Sequence, residues 1–180
     1  MGLLEQQNFT ARLFIDESLR LDFLREPEKV GLAHNLDESE ISQLKNAVAV
    51  EITAFAGSLL HKRLHEVEKF LPLTRNALHK DFQTYFHEFA KIFQPKTIKK
   101  HLEDAVGFAE FLSKKSFEKD WIRDLVIYEQ SVLIFSGYRK SLIIKKFSYD
   151  PREFSGENPR KRQTIAFWLR AGKLTKHYIF

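Results

Sequence analysis

The stretch that decides the fold is residues 117–149, FEKDWIRDLVIYEQSVLIFSGYRKSLIIKKFSY. In its first half the apolar residues recur at the 3.6-residue spacing of a helix, and after Gly137 that spacing changes. Residues 142–149 then form a short run of β-branched and aromatic side chains closed by Asp150-Pro151, which is typical of a strand. The sequence therefore predicts that helices give way to a sheet near residue 137.

Strand patterns continue beyond this stretch, and helix patterns precede it. Residues 164–170 form a second strand-like run, and a final short strand can form at residues 175–179. Residues 9–34 predict a short helical hairpin. Asp37 is placed to cap the following helix, with Glu40 in the position of a capping-box glutamate. That helix is predicted to reach Phe70, and further helical stretches follow at residues 74–93 and 98–112.

These patterns predict an α+β fold that is mostly α, with a multi-helix body and a small C-terminal antiparallel β-sheet or hairpin. Three regions are expected along the chain. They are an N-terminal helical hairpin at residues 1–36, a helical body at residues 37–136, and a basic β segment at residues 137–180 packed on that body.

The positive charge of the chain is concentrated in the predicted β segment. The 180 residues carry 29 Lys and Arg against 24 Asp and Glu, a net charge of +5. Residues 136–180 hold 11 of these cations and 3 of the acids, which is +8, so residues 1–135 carry −3. A partner of the β segment is therefore expected to be acidic.

Composition excludes several classes of protein. With 17 Phe the chain is expected to fold, and with no Cys it can form no disulfide and perform no thiol chemistry. The N-terminal residues lack the pattern of a signal peptide, and no apolar run approaches the roughly 20 residues of a membrane-spanning helix. We expect a soluble, cytoplasmic protein that does not bind membranes.

Known catalytic motifs are not found in the sequence. It contains no glycine-rich phosphate loop and no Gly-x-Ser-x-Gly elbow, so we predict that the protein is not an enzyme and needs no cofactor. His61 and His65 have the i, i+4 spacing of zinc ligands. A helical wheel places both on the polar side of their helix, which favours a solvated face over a metal site.

The same wheel places two charged residues among apolar ones. Arg63 falls within the apolar side of its helix, and Glu129 falls within the apolar side of the helix predicted at residues 117–135. Charges in such positions are costly unless they are paired. The sequence therefore predicts a buried ion pair between Arg63 and Glu129, with a role in fixing helix register favoured over a role in catalysis or ligand binding.

Basic residues interleaved with aromatic ones mark the β segment as the candidate binding region. Such residues can hold phosphates and stack bases, or they can form the solvated face over an aromatic core, or they can dock an acidic peptide. An exposed sheet edge could also accept a peptide as an added strand. The candidate ligand-binding residues are Lys145, Lys146, Arg160, Lys161, Arg162, Trp168 and Arg170.

Four stretches resemble an uncharacterised bacterial family that is distantly related to the HvfC-like proteins, which are labelled putative DNA-binding proteins. The stretches are residues 55–74, residues 82–93, the pattern Trp121-x-x-Asp124-x-x-x-Tyr128-Glu129, and residues 147–152.

The resemblance implies a function without catalysis. Such proteins are encoded beside multinuclear non-haem iron enzymes that modify ribosomally made peptides, and the better understood members act as precursor-peptide-binding partners of the enzyme. It implies that Arg63, Asp124 and Glu129 are shared pattern positions, and that the iron belongs to the partner enzyme.

Two functions are thus expected for the chain. The first is a non-catalytic adaptor that docks a partner enzyme and binds a peptide, in ribosomal-peptide modification. The alternative is a nucleic-acid-binding protein that uses the basic C-terminal sheet.

Overall fold

The computed structural model describes residues 3–172 and 174–180. It confirms the predicted α+β, mostly α fold, since the described residues form nine α-helices followed by three strands. The helices are α1 (Leu3–Ile15), α2 (Glu17–Arg25), α3 (Pro27–Ala33), α4 (Glu38–Ala47), α5 (Thr53–Phe70), α6 (Pro72–Leu78), α7 (Lys80–Ile92), α8 (Lys100–Ser113) and α9 (Trp121–Gly137). The strands are β1 (Leu142–Tyr149), β2 (Lys161–Ala171) and β3 (Leu174–Ile179).

The chain divides into two compact units, Met1–Lys62 and Arg63–Phe180, so the division lies within α5. The boundary predicted at residue 36 coincides with neither unit's end. In the first unit α3 packs on α4, and side chains from residues on both sides of residue 36 share one core. This core contains Phe9, Leu13, Phe23, Leu36, Ile41, Leu44, Val48 and Ile52.

Capping explains where the helices of the first unit begin. The Asp37 carboxylate accepts from the Glu40 amide at 2.8 Å while the Glu40 carboxylate accepts from the Asp37 amide at 2.8 Å, which is the capping box that the sequence predicts. Residues 9–34 form parts of three helices instead of a hairpin of two, because Pro27 begins a further helix at its first position. A π-helical turn at Val48–Ile52 interrupts the single helix predicted up to residue 70.

The second unit is organised around aromatic rings and α9. Phe108 on α8 contacts the rings of Phe82, Phe86 and Phe89 on α7, with centroids 5.1–5.4 Å apart. Helix α9 packs on α8, α6 and β1, so it connects the helices of this unit to the sheet.

The sheet is antiparallel with strand order β1-β2-β3. Phe147 lies opposite Thr164 and Ile143 lies opposite Trp168, and the register shifts between Phe147 and Tyr149. Gly172, with a φ of 60°, provides the turn into β3. Alternate residues point to opposite faces of a strand, so the sheet has one face on α9, which we call the inner face, and one face away from it, the outer face.

No helix in the described part of the chain has both the length and the apolar character needed to cross a membrane.

Candidate functional site: the C-terminal sheet and its anchors

The predicted ion pair between Arg63 and Glu129 is wrong, because each residue has a different partner. Arg63 binds Asp104 of α8 through two contacts, Nη2 to Oδ1 at 2.7 Å and Nε to Oδ2 at 3.1 Å. It also donates from Nη2 to the Phe93 carbonyl, just after α7, at 3.1 Å. Asp104 is fully buried, so this bidentate pair joins α5, α7 and α8 from within the core.

Glu129 is 7% exposed and binds backbone instead of an arginine. Its carboxylate accepts from the amides of Leu73, at 2.9 Å, and Thr74, at 2.7 Å. These amides belong to the first turn of α6, where helix N–H groups have no partner within the helix. Burial raises the pKa of Glu129, and the hydrogen bonds from Leu73 and Thr74 act in the opposite direction.

Asp124, a shared position in the resemblance, also binds backbone. Its Oδ2 accepts from the amide of Ser148 at 2.6 Å and from the amide of Tyr149 at 3.0 Å. The register shift at this end of β1 leaves those two adjacent amides available to a side chain. Asp124 and Glu129, both on α9, therefore position the sheet and α6, and their contacts are structural.

The two histidines with metal-ligand spacing lie on the solvated face, as the wheel indicates. His61 and His65 are exposed, and the Nδ1 of His65 is 3.5 Å from a Glu68 carboxylate oxygen. Among the described residues no three histidine, aspartate or glutamate side chains form a group that could hold a metal ion.

Trp168 is not available to a ligand, contrary to the prediction. It is 3% exposed on the inner face, where it stacks on His177 with centroids 4.7 Å apart and contacts Tyr128 of α9 at 5.7 Å. Residues on alternate positions of a strand point to opposite faces, so the sequence alone does not tell which aromatic residues face α9.

Two of the seven candidates are occupied by neighbours within the protein. Arg170 donates to the Phe135 carbonyl at 3.0 Å, and its guanidinium lies 4.9 Å from the centroid of the Phe135 ring. Because Phe135 is in the last turn of α9, a cation there is also favoured by the helix dipole. Arg160 pairs with Glu153 in the connection between β1 and β2.

The same connection neutralises further positive charge. The Arg152 guanidinium binds Asp150 and lowers the pKa of that carboxyl to about 2. Arg162 lies close enough to contribute to this lowering of the Asp150 pKa. Lys161 lies 5.9 Å from the centroid of the Tyr149 ring and borders an open cleft beside the first turn of α9.

The remaining lysine candidates are exposed but lie on opposite faces. Lys145 is opposite Ala166, a buried inner-face residue, whereas Lys146 is opposite Ile165 on the outer face. The structure therefore does not bring the seven candidates together into one basic patch. Strand alternation separates them, and acids of the connection pair with part of the charge.

The outer face contains the feature that sequence reasoning missed, which is a set of exposed apolar side chains. Leu142 and Ile144 are each 52% exposed, and Phe180 is 68% exposed. The central part of this face consists of Leu142, Ile144, Lys146, Ile165, Phe167, Leu169, Lys176, Tyr178 and Phe180. Ala171 and the exposed Leu174 continue the face beyond Leu169 and Lys176.

A signal for this face was present in the sequence. The runs at 142–144 and 165–169 are apolar at successive positions and not only at alternate ones. Strands of that kind are typical of sheets buried on both faces. Here α9 covers one face and the other is exposed, so the surplus apolar residues are the signal.

Comparison of the chain with protein-family models, with curated proteins and with solved structures found no match.

Proposed function

We propose that the chain is a non-catalytic binding protein that uses the outer face of its C-terminal sheet to bind a segment of another protein. The observation that carries the proposal is the exposure of seven apolar side chains around the half-buried Phe167 on one side of a three-stranded sheet, namely Leu142, Ile144, Ile165, Leu169, Leu174, Tyr178 and Phe180. Contiguous exposed apolar side chains are characteristic of protein interaction sites. Leu142 and Ile144 on β1 continue without interruption into Leu169 and Phe167 on β2.

The charge of this region supports an acidic partner. Residues 136–180 carry +8, and Lys146 and Lys176 lie on the outer face itself. Neither lysine has an ion-pair partner within 4.0 Å in the described part of the chain. Complementary charge at the border of an apolar surface selects the partner and accelerates its association.

The role of adaptor to a peptide-modifying enzyme remains a prediction that rests on the family resemblance. In that setting the helices would dock the enzyme and the outer face would take the peptide. Arg63, Asp124 and Glu129 would then serve binding indirectly, by holding the sheet and helices in place.

The proposal is tested with labelled synthetic peptides rich in Glu and Leu, whose binding is followed by fluorescence anisotropy. We expect Ile144→Glu to abolish binding, because it places a charge in the centre of the β1 side of the outer face. Lys145→Glu is the matched control, since it changes the adjacent exposed residue on the inner face and should retain binding. Equal loss in both variants, or binding that survives Ile144→Glu, would show that the outer face is not the site.

Nucleic-acid binding is the second candidate, and one observation favours it. Phe167, Tyr178 and Phe180 share the outer face with two lysines. The centroid of the Phe180 ring lies 5.9 Å from that of Phe167 and 6.1 Å from that of Tyr178. Aromatic rings beside cations can stack the bases of a single strand. Leu142 and Ile144 on β1 have neither a charge for a phosphate nor a ring for a base, so they favour binding of a protein segment.

A salt titration with single-stranded and double-stranded oligonucleotides separates the two candidates. Nucleic-acid binding should weaken steeply between roughly 50 and 200 mM salt, because each neutralised phosphate releases counterions. Absence of binding at the lowest salt concentration removes this second candidate.

A further inference from the structure

We infer that the outer face takes an amphipathic α-helix whose apolar stripe has carboxylates on both flanks. This inference rests on the proposed function and names the chemistry of the partner. It follows from the arrangement of the nine outer-face residues, from the state of the sheet backbone, and from the signs of the charges.

The central nine residues of the outer face form a grid of three residues on each of three strands, and Ala171 and Leu174 continue the face at one end. Leu142, Leu169 and Lys176 form one row across the sheet. Ile144, Phe167 and Tyr178 form the middle row. Lys146, Ile165 and Phe180 form the last, where Ile165 and Phe180 exchange two backbone hydrogen bonds of 3.0 Å. The two lysines therefore occupy opposite corners of the grid.

The other diagonal of this grid is apolar from end to end. It runs from Leu142 through Phe167 to Phe180, and one lysine lies on each side of it. Strand and residue spacings give this diagonal a length of about 17 Å. About three turns of an α-helix cover that distance. A helix along it would place its apolar stripe on the diagonal and its two flanks beside Lys146 and Lys176.

The backbone of the sheet explains why a helix fits better than an extended peptide. Within the sheet, backbone N–H and C=O groups point along the sheet toward neighbouring strands, and none points out of a face. A peptide lying on the outer face therefore meets side chains only. Because its own buried backbone groups need partners, a helix, which pairs them internally, suits this surface. An added strand would bind at the edge of β1 or β3 and would leave the outer face exposed.

The charges argue against a second copy of this chain as the occupant. Neither the nine residues of the grid nor Ala171 and Leu174 beside it include an acid, and two of the nine are lysines. Two copies packed face to face would bring four cations together without a carboxylate from either face. A helix with glutamates or aspartates on its flanks supplies the missing charge.

The test uses the full chain and a labelled peptide of about 15 residues, with Leu at i, i+3, i+4, i+7, i+8 and i+11 and Glu on both flanks. Three comparison peptides change one property each. One has the same composition in strict Leu-Glu alternation, one has a central proline that breaks the helix, and one has Lys in place of each Glu. Binding is measured by fluorescence anisotropy at fixed ionic strength.

We expect the helical Glu peptide to bind at least about tenfold more tightly than the alternating and proline peptides. Ordering the backbone of these two peptides into a helix on binding costs more free energy. The double variant Lys146→Glu and Lys176→Glu should weaken binding of the helical Glu peptide about tenfold, because the new carboxylates repel its glutamates. The same variant should bind the Lys peptide more tightly. Lys145→Glu, an equal change of charge on the inner face, should change the affinity less than about twofold.

Other outcomes overturn specific parts of the inference. If the alternating peptide binds as tightly as the helical one, the partner does not need to be a helix, while the proposed function stands. If the double charge reversal of Lys146 and Lys176 does not change the affinity, the partner does not need carboxylates on its flanks. If sedimentation shows a dimer that Ile144→Glu dissociates, the occupant is a second copy. If no peptide binds and the chain remains monomeric, the proposed function fails together with the inference.

Discussion

The inner and outer faces of the C-terminal sheet are built from the same strands, but the inner face packs against α9 and the outer face is exposed. On the inner face Phe147, Ala166 and Trp168 are buried against α9, and Arg170 reaches a carbonyl of that helix. On the outer face apolar residues of similar size are exposed. Apolar character alone therefore does not define the core of this protein. What defines it is the presence of α9, whose Asp124 also holds the end of β1.

The largest effect is expected from truncating adjacent aromatic residues on the two faces. Trp168→Ala should lower the free energy of unfolding by about 3–5 kcal/mol, because it leaves a cavity against α9. Phe167→Ala should cost less than about 1 kcal/mol, since its ring lies on the outer face. Urea unfolding followed by circular dichroism measures both values. Similar losses would mean that the two faces are not energetically distinct.

The next largest effect is expected at Asp124, whose carboxylate connects α9 to the end of β1. Asp124→Ala should lower the free energy of unfolding by about 2–3 kcal/mol, because it removes a charged acceptor from two backbone amides. Asp120→Ala is the control, since Asp120 precedes the same helix and makes no side-chain capping bond to it. Its effect should stay within about 0.5 kcal/mol in the same unfolding assay. If both variants lose equally, Asp124 acts through helix charge and not through the strand.

A smaller effect is expected in the pH dependence of stability, through Glu129. Burial raises the pKa of Glu129 above its ordinary value of 4.5, so the folded protein binds the proton more tightly than the unfolded chain. Stability due to this group is therefore greatest below pH 4.5 and falls as pH rises through the folded pKa, with a slope of at most about 1.4 kcal/mol per pH unit.

Glu129→Gln removes that slope because glutamine does not titrate. Denaturant midpoints of the wild type and the variant, compared from about pH 4 to pH 8, isolate the contribution of Glu129. A difference between the two proteins that does not change with pH would contradict the assignment of a raised pKa.

The smallest effect on stability is expected on the outer face. Leu142→Lys should change the free energy of unfolding by less than about 0.5 kcal/mol, because the side chain is half exposed and covers little of the core. The same change should weaken binding of the helical Glu peptide, since Leu142 begins the apolar diagonal. Unfolding and anisotropy measured on one preparation separate the two effects. A large loss of stability would mean that this face already belongs to the core.

Local features of the fold could be predicted because they depend on residues close in sequence. The capping box of Asp37 and Glu40 needs only three residues of separation, and the change from helix to strand follows from the spacing of side chains after Gly137. The π-helical turn at Val48–Ile52 left no mark in the pattern, since it keeps nearly the same helical spacing.

The candidate site was predicted less well, because its contacts depend on residues far apart. A helical wheel placed Arg63 and Glu129 near the core, and Glu129 is indeed buried, but a wheel cannot choose among distant partners. Arg63 selects Asp104, 41 residues away, and Glu129 selects amides 55 and 56 residues away. Every helix has free backbone amides in its first turn, whatever its sequence. A pattern of side chains therefore cannot predict which of these amides bind a distant carboxylate.

By itself the amino-acid sequence determined the helical body, the C-terminal strands and the concentration of positive charge in residues 136–180. These depend on local periodicity and on composition. Only the tertiary structure fixes which face of the sheet meets α9, which cations form ion pairs with neighbouring acids, and which apolar residues remain exposed. The physical reason is that both faces of these strands are apolar, so the choice between core and binding surface depends on which face meets a helix.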